Sequence, residues 1–248
     1  MRYLILSDMH GNSDALAAVL RRVRRKRFDA ALVLGDLVGY GAAPNQVVDA
    51  LRRLPWPAYF VRGNHDKVVA GLEDGANFNT AALAAARWTA EHLTPSNLRF
   101  VRELPRGPRL TDDGVAFCHG SPLDEDHYVF SALDALEIFV HFPGPQVVFF
   151  GHTHLPSQLV QSPIDLRATL LRGPSGMVTI EPGHRYLFNP GAVGQPRDRD
   201  PRASYMTYDS VARVVRWQRI DYAVERAQER ILRARLPRNL AERLAVGV

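Results

Sequence analysis

The sequence predicts an α/β protein built around mixed β-sheets, and three observations support this fold class. Strand-length apolar runs alternate with helix-period segments over about the first sixty residues, an order that is typical of parallel strands joined by crossover helices. After residue 157, short β segments bounded by proline and glycine predict antiparallel hairpins. The 248 residues, of which 46% are hydrophobic, are enough to bury a sizeable core.

The first two thirds of the chain predict strands and helices in near alternation. The predicted strands are apolar runs at residues 3–6, 31–34, 58–61, 115–118 and 147–150. Helical periodicity predicts helices over residues 13–23, 44–51, 81–93, 97–104 and 131–142. The segment around residues 68–95 reads as an insert, and we expect it to form a cap over a substrate site.

The last third of the chain changes to β hairpins and ends in a helix. The predicted β segments lie at residues 157–160, 177–180, 185–188, 204–208 and 211–220. A helical pattern rich in arginine and glutamate covers about residues 222–244. Because no long linker interrupts the sequence, we expect a single domain over residues 1–248.

Composition excludes several classes of protein. The single cysteine, Cys118, rules out a disulfide framework and any cysteine-based zinc site. Only about five apolar residues precede Ser7 and Asp8, which is too few for a signal-peptide core or a membrane span. We therefore expect a cytoplasmic protein without a membrane-spanning segment.

The formal net charge is +5, from 31 basic and 26 acidic side chains. The dense basic run at residues 21–27 is interpreted as the solvated face and end of a helix, so nucleic-acid binding is not expected from it. The sequence leaves the oligomeric state open, a homo-oligomer included.

Six polar clusters share one placement, because each directly follows a predicted strand. They are Asp8-Met9-His10, Gly35-Asp36, Gly63-Asn64-His65-Asp66, His119-Gly120, Gly151-His152-Thr153-His154 and Asn189-Pro190-Gly191. The carboxyl ends of strands in an open α/β sheet face one crevice, so residues far apart in sequence can meet there. Taken singly, each cluster is more simply a turn or a hydrogen bond at a strand end.

Taken together, the clusters supply two aspartates, one asparagine and four histidines, with no sulfur donor. Carboxylate and imidazole ligands suit first-row divalent ions such as manganese, iron, cobalt, nickel or zinc. Seven ligands exceed what one ion needs, and one carboxylate can bridge two ions. Two ions ~3.5–4 Å apart form the usual arrangement for in-line displacement at phosphorus.

In this combination the motifs resemble those of the calcineurin-like metallophosphoesterases, over a stretch from Leu4 to about Tyr205. Three flanking stretches, at residues 10–12, 35–41 and 189–197, are similar to the small bacterial and archaeal phosphodiesterase branch. The resemblance implies a four-layer α/β/β/α sandwich with two mixed β-sheets.

The resemblance also implies a role for each motif residue. One of two divalent ions would be held by Asp8, His10 and His154, and the other by Asn64, His119 and His152, with Asp36 bridging them. Manganese is the first expectation for both ions, with iron, nickel, cobalt or zinc as alternatives. His65 would lie near the phosphate and the leaving group without binding metal.

The implied activity is hydrolysis of a phosphodiester by a hydroxide that the two ions generate from water. His65, oriented by Asp36 or Asp66, would donate a proton to the leaving group. The implied partner is a small phosphoester substrate, with a nucleotide as one candidate. Phosphomonoester or nucleotide hydrolysis, nuclease activity and a non-catalytic scaffold are the alternatives.

Two departures from the protein-phosphatase branch narrow the substrate class. That branch follows its Gly-Asp with an arginine-containing motif and ends its Asn-His pair with glutamate. Here Gly39-Tyr40-Gly41 and Asp66 occupy those positions. This disfavours a phosphoprotein or a symmetrical dinucleoside tetraphosphate as substrate.

Several residues have two interpretations. Asn12 either contacts substrate phosphate, as Asn64 and His65 are expected to do, or caps the following helix. Asp66 either orients His65 or caps the segment after it.

Arginines outside the motifs are interpreted as structural or solvated. Arg62 is expected to be structural, and the loop carrying Arg197 and Arg199 to be solvated, with a substrate contact as the alternative. A stripe of Phe78, Leu83 and Trp88 is expected to pack in the core, with a platform for a nucleobase as the alternative.

Overall fold

The computed structural model describes residues 1–248 and contains twelve strands and eight helices. The strands are β1 (Arg2–Leu6), β2 (Ala30–Val33), β3 (Ala58–Phe60), β4 (Arg109–Leu110), β5 (Ala116–Phe117), β6 (Val147–Phe149), β7 (Ser157–Gln161), β8 (Leu166–Leu170), β9 (Ser175–Thr179), β10 (Arg185–Asn189), β11 (Ala203–Asp209) and β12 (Val214–Ile220). The helices are α1 (Ser13–Val23), α2 (Pro44–Arg52), α3 (Asn64–Val69), α4 (Thr80–His92), α5 (Pro95–Arg102), α6 (Ala132–His141), α7 (Val224–Arg233) and α8 (Arg238–Val246).

The strands form two six-stranded sheets, and both sheets are mixed. The first has the order β3-β2-β1-β11-β12-β9, and the second has the order β4-β5-β6-β10-β7-β8. Strands β1, β2 and β3 are parallel, as are β5, β6 and β10, whereas every other neighbouring pair is antiparallel. The predicted α/β class with mixed sheets is therefore confirmed.

Strand β1 shows why the two sheets stack between helical layers. Alternate side chains of a strand point to opposite faces. Tyr3 and Ile5 enter a cluster of 17 buried residues that joins the two sheets, whereas Leu4 and Leu6 enter a cluster of 23 that includes side chains of α1, α2 and α5. A third cluster packs α6 on the outer face of the second sheet. This arrangement is the four-layer α/β/β/α sandwich that the resemblance implied.

The C-terminal third departs most from the sequence expectation. The single helix predicted over residues 222–244 is two helices, α7 and α8, because Arg235 adopts a left-handed backbone and Pro237 ends the continuous pattern. The strand predicted from residue 211 begins at Val214, after a turn. Strand β8 was not predicted, since its side chains are mostly exposed and form no apolar run.

Strand β9 lies in a different sheet from the strands that flank it in sequence. It pairs with β12 in the first sheet, whereas β8 and β10 belong to the second. Sequence periodicity predicts that a segment is a strand, but it contains no information on which sheet completes it. None of the eight helices has both the length and the apolar character needed to cross a membrane.

Candidate functional site

The loops after β1, β2, β5 and β6 bring buried carboxylates and imidazoles together. One group consists of Asp8, His10, Asp36 and His154, and a second of Asp36, His119 and His152. Within each group, the candidate ligand atoms all lie within 4.8 Å of one another. Asp36 belongs to both groups, which is the arrangement expected of a carboxylate shared by two ions.

Asn64 completes the predicted set of seven. It is the first residue of α3, and its Oδ1 lies 3.3 Å from Nε2 of His119. Oδ2 of Asp36 lies 3.4 Å from Nε2 of His10 and 3.5 Å from Nε2 of His119. Oδ1 of Asp8 lies 3.3 Å from Nε2 of His154. The fold therefore gathers all seven side chains in one place.

Backbone carbonyl groups orient the imidazoles. Three imidazole rings direct Nδ1 to a carbonyl oxygen, in the pairs His10–Val38, His119–Leu34 and His154–Gln195. Because a carbonyl oxygen only accepts, Nδ1 carries the proton and Nε2 presents a lone pair to the site. The His152 ring has the opposite orientation, because its Nε2 lies 3.1 Å from the Asp126 carbonyl oxygen and its buried Nδ1 has no hydrogen-bond partner. All four rings thus aim a lone pair into the cluster.

This donor set fits divalent metal ions. Oδ1 of Asp8 is buried without a hydrogen-bond donor, and Nε2 of His10 faces Nε2 of His154 at 3.2 Å. Two such lone pairs repel each other, whereas a cation held between ligand atoms would satisfy them. Oxygen and nitrogen donors without sulfur suit first-row divalent ions.

Burial imposes a large electrostatic cost on the same side chains. It raises the pKa of Asp8 to about 7, and it raises the pKa of Asp36 well above its ordinary range. Burial also holds the pKa values of His10, His152 and His154 well below the usual value for histidine. Desolvation therefore disfavours the charged form of each group, and bound divalent ions would offset that cost at the carboxylates.

Backbone strain is concentrated at these ligands. Nine non-glycine residues have positive φ, and five of them are Asp8, His10, Asp36, His152 and His154, with φ between 44° and 66°. A sixth is Tyr40, at φ 53°. Left-handed backbone is costly for residues with a Cβ and persists where the surrounding structure enforces it, most often at functional sites.

His65 lies beside the cluster, and its imidazole makes no hydrogen bond to it. Its backbone amide donates to Oδ1 of Asp36 at 2.9 Å, and its Nδ1 is buried without a partner. The ring packs on Tyr40, Phe78 and His10, with centroid distances of 4.3, 4.4 and 4.8 Å. Burial, reinforced by the charge of Arg197, holds the pKa of His65 well below its ordinary value.

The structure favours the capping interpretation of two predicted residues. Both carboxylate oxygens of Asp66 accept backbone hydrogen bonds, from Gly63, Leu37 and Val38, and neither contacts the His65 ring. Asp66 therefore links the loop after β2 to the turn before α3 through backbone hydrogen bonds, and it does not orient the imidazole. Asn12 is also a cap, because its Oδ1 accepts from the backbone amide of Ala15 in α1 and its Nδ2 donates to the Gly194 carbonyl oxygen and the Tyr222 hydroxyl. A contact of Asn12 with substrate stays a prediction.

A cavity of about 690 Å³ opens over the cluster. Its floor includes Asp36, Asn64, His152 and His154, and Arg197 reaches it from the loop after β10. The remaining wall comes from Tyr40, His65, Val68, Glu73, Asp74, Gly75, Ala76, Asn77, Phe78, Asn79, Ala82, Asp126 and Tyr128. Residues 73–79, at the start of the expected cap, form much of that wall.

Several residues of this wall were not predicted from the sequence. Arg197 lines the cavity instead of lying in a solvated loop, whereas Arg199 is exposed elsewhere. Asp126 and Tyr128 belong to an acidic loop at residues 124–128, and the Tyr128 ring stacks on His152 with a centroid distance of 3.8 Å. The placement of these residues depends on how loops pack. Only Arg197 carried a sequence signal for the cavity, because it follows a strand-end motif.

Phe78 and Trp88, which were predicted to form one stripe, lie in different places. Phe78 lines the cavity and contacts His65, whereas Trp88 packs with α4 against α7 and α8. Arg62 is structural, as expected, because its guanidinium pairs with both carboxylate oxygens of Glu125.

Lys67 joins three acidic side chains around the cavity wall. Its Nζ lies 2.7 Å from Glu73, 3.4 Å from Glu125 and 2.5 Å from Asp126, and its side chain is only 2% exposed. Glu73 is the first residue of the loop that forms much of the cavity wall, and Asp126 carries the carbonyl oxygen that orients His152. The lysine therefore links the start of the cap segment to the acidic loop.

Replacing Lys67 by methionine is expected to destabilise the fold by about 2 kcal/mol, measured by urea unfolding. Loss of one partner of a fully buried ion pair costs about 3–5 kcal/mol. The cost is smaller here because Glu73 and Asp126 are about half exposed, at 47% and 44%. Lys26→Met, at the only other lysine, is exposed and should change stability by less than about 0.5 kcal/mol. Equal stability of the two variants would contradict this role.

Comparisons with known proteins cover the whole chain. The sequence profile of the calcineurin-like phosphoesterases matches residues 1–156. An uncharacterized protein of Methanocaldococcus jannaschii is 33% identical over 245 residues, which is 98% of this chain and 97% of that protein. A solved metallophosphoesterase from Sphaerobacter thermophilus is 37% identical with a TM-score of 0.85, covering 100% of this chain and 99% of that chain. A hypothetical protein from Pyrococcus horikoshii shares the fold at 18% identity, with a TM-score of 0.81 and coverage of 100% and 98%.

Proposed function

Because this chain belongs to the calcineurin-like phosphoesterase family, whose members are metal-binding hydrolases of phosphoester bonds, we propose that it is a dinuclear phosphodiesterase. The single observation that carries this proposal is the buried carboxylate of Asp36, shared by two groups of oxygen and nitrogen donors. The cavity of about 690 Å³ above them supports a substrate with organic groups on its phosphate, because pockets of that size hold drug-sized ligands.

The proposed ligands form two sets, one for each ion, which follow the two groups of donors described above. Asp8, His10 and His154 would hold one ion, Asn64, His119 and His152 the other, and Asp36 both. When bound, two such ions activate a water molecule and neutralise charge on the phosphoryl oxygens. Manganese remains our first choice for both ions.

The role proposed for His65 is proton donation to the leaving oxygen. Tyr40 and Phe78 hold the ring on two sides, so its orientation does not depend on a carboxylate. The ring lines the cavity, and Nδ1 is enclosed, which leaves Nε2 as the atom available to substrate. An anionic phosphoryl group beside the ring raises its pKa, so the imidazole would have a proton to donate at Nε2.

Gly39→Ala is expected to lower kcat by about 100-fold by displacing His65. A Cβ at residue 39 would lie 2.4 Å from Nδ1 of His65, and the backbone there has φ of +89°. Gly71→Ala is a matched control, because φ is +71° and nothing lies within 4 Å of the added carbon. Both variants should lose about 1–2 kcal/mol of stability through backbone strain, but only the first should lose turnover. A similar kcat for both variants would argue against a positioned His65.

The direct test is hydrolysis of bis(p-nitrophenyl) phosphate after loading with manganese, nickel, cobalt, iron or zinc. We expect turnover with about two ions bound per chain, and a kcat/KM higher than that for p-nitrophenyl phosphate. A higher value for the monoester would make the protein a phosphomonoesterase instead. Absence of hydrolysis with both sites filled would overturn the enzymatic proposal, and binding of less than one ion per chain would favour a scaffold.

A further inference from the structure

The wall of the cavity contains a single arginine and no lysine. Arg197 is that arginine, and it faces a wall that also contains four carboxylates. Asp36 belongs to the cluster, Glu73 and Asp126 are paired with Lys67, and Asp74 accepts from the backbone amide of Ala76 at 2.9 Å. The cation is therefore placed where substrate enters but is not needed to balance these acidic neighbours.

The guanidinium of Arg197 has no carboxylate partner. One terminal nitrogen donates weakly, to the Tyr40 hydroxyl at 3.4 Å and to Oε1 of Gln195 at 3.3 Å. Its Nε is buried and has no hydrogen-bond partner. Burying unsatisfied donors is costly, so such an arrangement is expected where a ligand supplies the acceptors.

The backbone of the loop that carries Arg197 is anchored both before and after this residue. Before it, the backbone amide of Gly194 donates to the Asp8 carbonyl oxygen at 2.9 Å. After it, Asp198 and Asp200 pair with the Arg219 side chain, which is only 2% exposed. A long side chain on such an anchored backbone loses less entropy when it binds.

The charge of Arg197 acts on five of the seven predicted ligands and on His65. It contributes to lowering the pKa of two carboxylates and four imidazoles, namely Asp8, Asp36, His10, His65, His152 and His154. The guanidinium also lies 6.0 Å from the Tyr40 ring, whose other contacts include His65. Because Arg197 lines the same cavity as the cluster, a phosphoryl group seated there would lie close to this cation.

We propose that Arg197 is a specificity-determining residue that binds one anionic oxygen of the substrate beyond those held at the metal centre. This inference rests on the proposed function. It predicts that Arg197 contributes more to the kcat/KM of phosphoesters with one more negative charge than to the kcat/KM of a simple diester. That charge belongs either to a second phosphate group elsewhere in the substrate or to the reacting group of a monoester, and a guanidinium suits both.

The test compares two pairs of chromogenic esters in the manganese-loaded protein. Thymidine 5′-(p-nitrophenyl phosphate) with and without a 3′-phosphate differs by a second phosphate group. The esters p-nitrophenyl phosphate and bis(p-nitrophenyl) phosphate differ in charge at the reacting phosphorus. Arg197→Met should lower kcat/KM by about 10- to 100-fold for the more charged member of one pair. The less charged members should lose no more than about threefold. The affected pair identifies the source of the charge.

Arg197→Lys and Arg199→Met are the matched variants. Lysine keeps the charge and should restore part of the lost selectivity, whereas Arg199 is exposed outside the cavity, so its replacement should behave as the parent protein. Calorimetry with inorganic phosphate provides a readout independent of turnover. Arg197→Met should weaken phosphate binding by about tenfold at unchanged manganese content.

Two results would overturn the inference. One is an equal loss for all four esters, which would indicate a purely structural side chain, and the other is no loss of selectivity or of phosphate affinity. If the parent protein hydrolyses none of the esters with any metal, the proposed function fails. The phosphate titration would then still test Arg197 by itself.

Discussion

Asp36→Asn is expected to lower kcat by about 1,000-fold or more, equivalent to about 4 kcal/mol in the activation barrier. Oδ2 of Asp36 lies within 3.5 Å of Nε2 of both His10 and His119, so its removal affects both groups of ligands at once. An amide has the same shape but lacks the charge that binds a cation strongly. We therefore expect manganese content to fall to one ion per chain or less, measured by elemental analysis after dialysis.

The control for this variant is Asp112→Asn, an exposed aspartate of the turn after β4. It should retain full metal content and turnover. Thermal unfolding without metal checks that Asp36→Asn still folds, and we expect it to do so because the carboxylate is costly to bury. Two tightly bound ions and near-normal turnover in Asp36→Asn would contradict a shared ligand.

His65→Gln is expected to lower kcat by about 100- to 10,000-fold while leaving metal content unchanged. The imidazole contacts no predicted ligand carboxylate, and its backbone amide, which contacts Asp36, is retained in the variant. If the ring donates a proton, the loss should grow as the leaving group becomes more basic. Comparing methyl and p-nitrophenyl leaving groups on the same phosphate measures this dependence.

His141→Gln, at the exposed end of α6, is the matched control and should not change either rate. An equal loss for methyl and p-nitrophenyl esters in His65→Gln would argue that the ring only positions the phosphate. A loss of manganese in the same variant would assign it a role in holding the metal-binding loops.

The polar motifs were predictable because they follow apolar strands. A run such as Tyr3–Leu6 is buried on both faces, so the polar residues directly after it mark the end of a strand. Parallel strands end at the same edge of a sheet, which is why Asp8 and Asp36 could be expected to meet. The same argument extended to the second sheet through His119 and His152, although no periodicity indicates that the two sheets face each other.

The role of Asp66 shows what local reasoning leaves open. From the sequence it either orients His65 or caps the segment after it, and neighbours in a helix point in different directions. The carboxylate instead accepts hydrogen bonds from the backbone amides of residues 37 and 38, which lie nearly thirty positions earlier in the chain.

The sequence by itself determined the fold class and the seven candidate ligands of this phosphoesterase, because strand periodicity and the residue types at strand ends are local properties. It also determined that the donors are oxygen and nitrogen. Only the tertiary structure decided the reversed tautomer of His152, the buried ion pairs of Lys67 and the entry of Arg197 into the cavity. Each depends on a contact between segments distant in sequence, where hydrogen-bond partners and desolvation are set by packing and leave no periodic pattern in the chain.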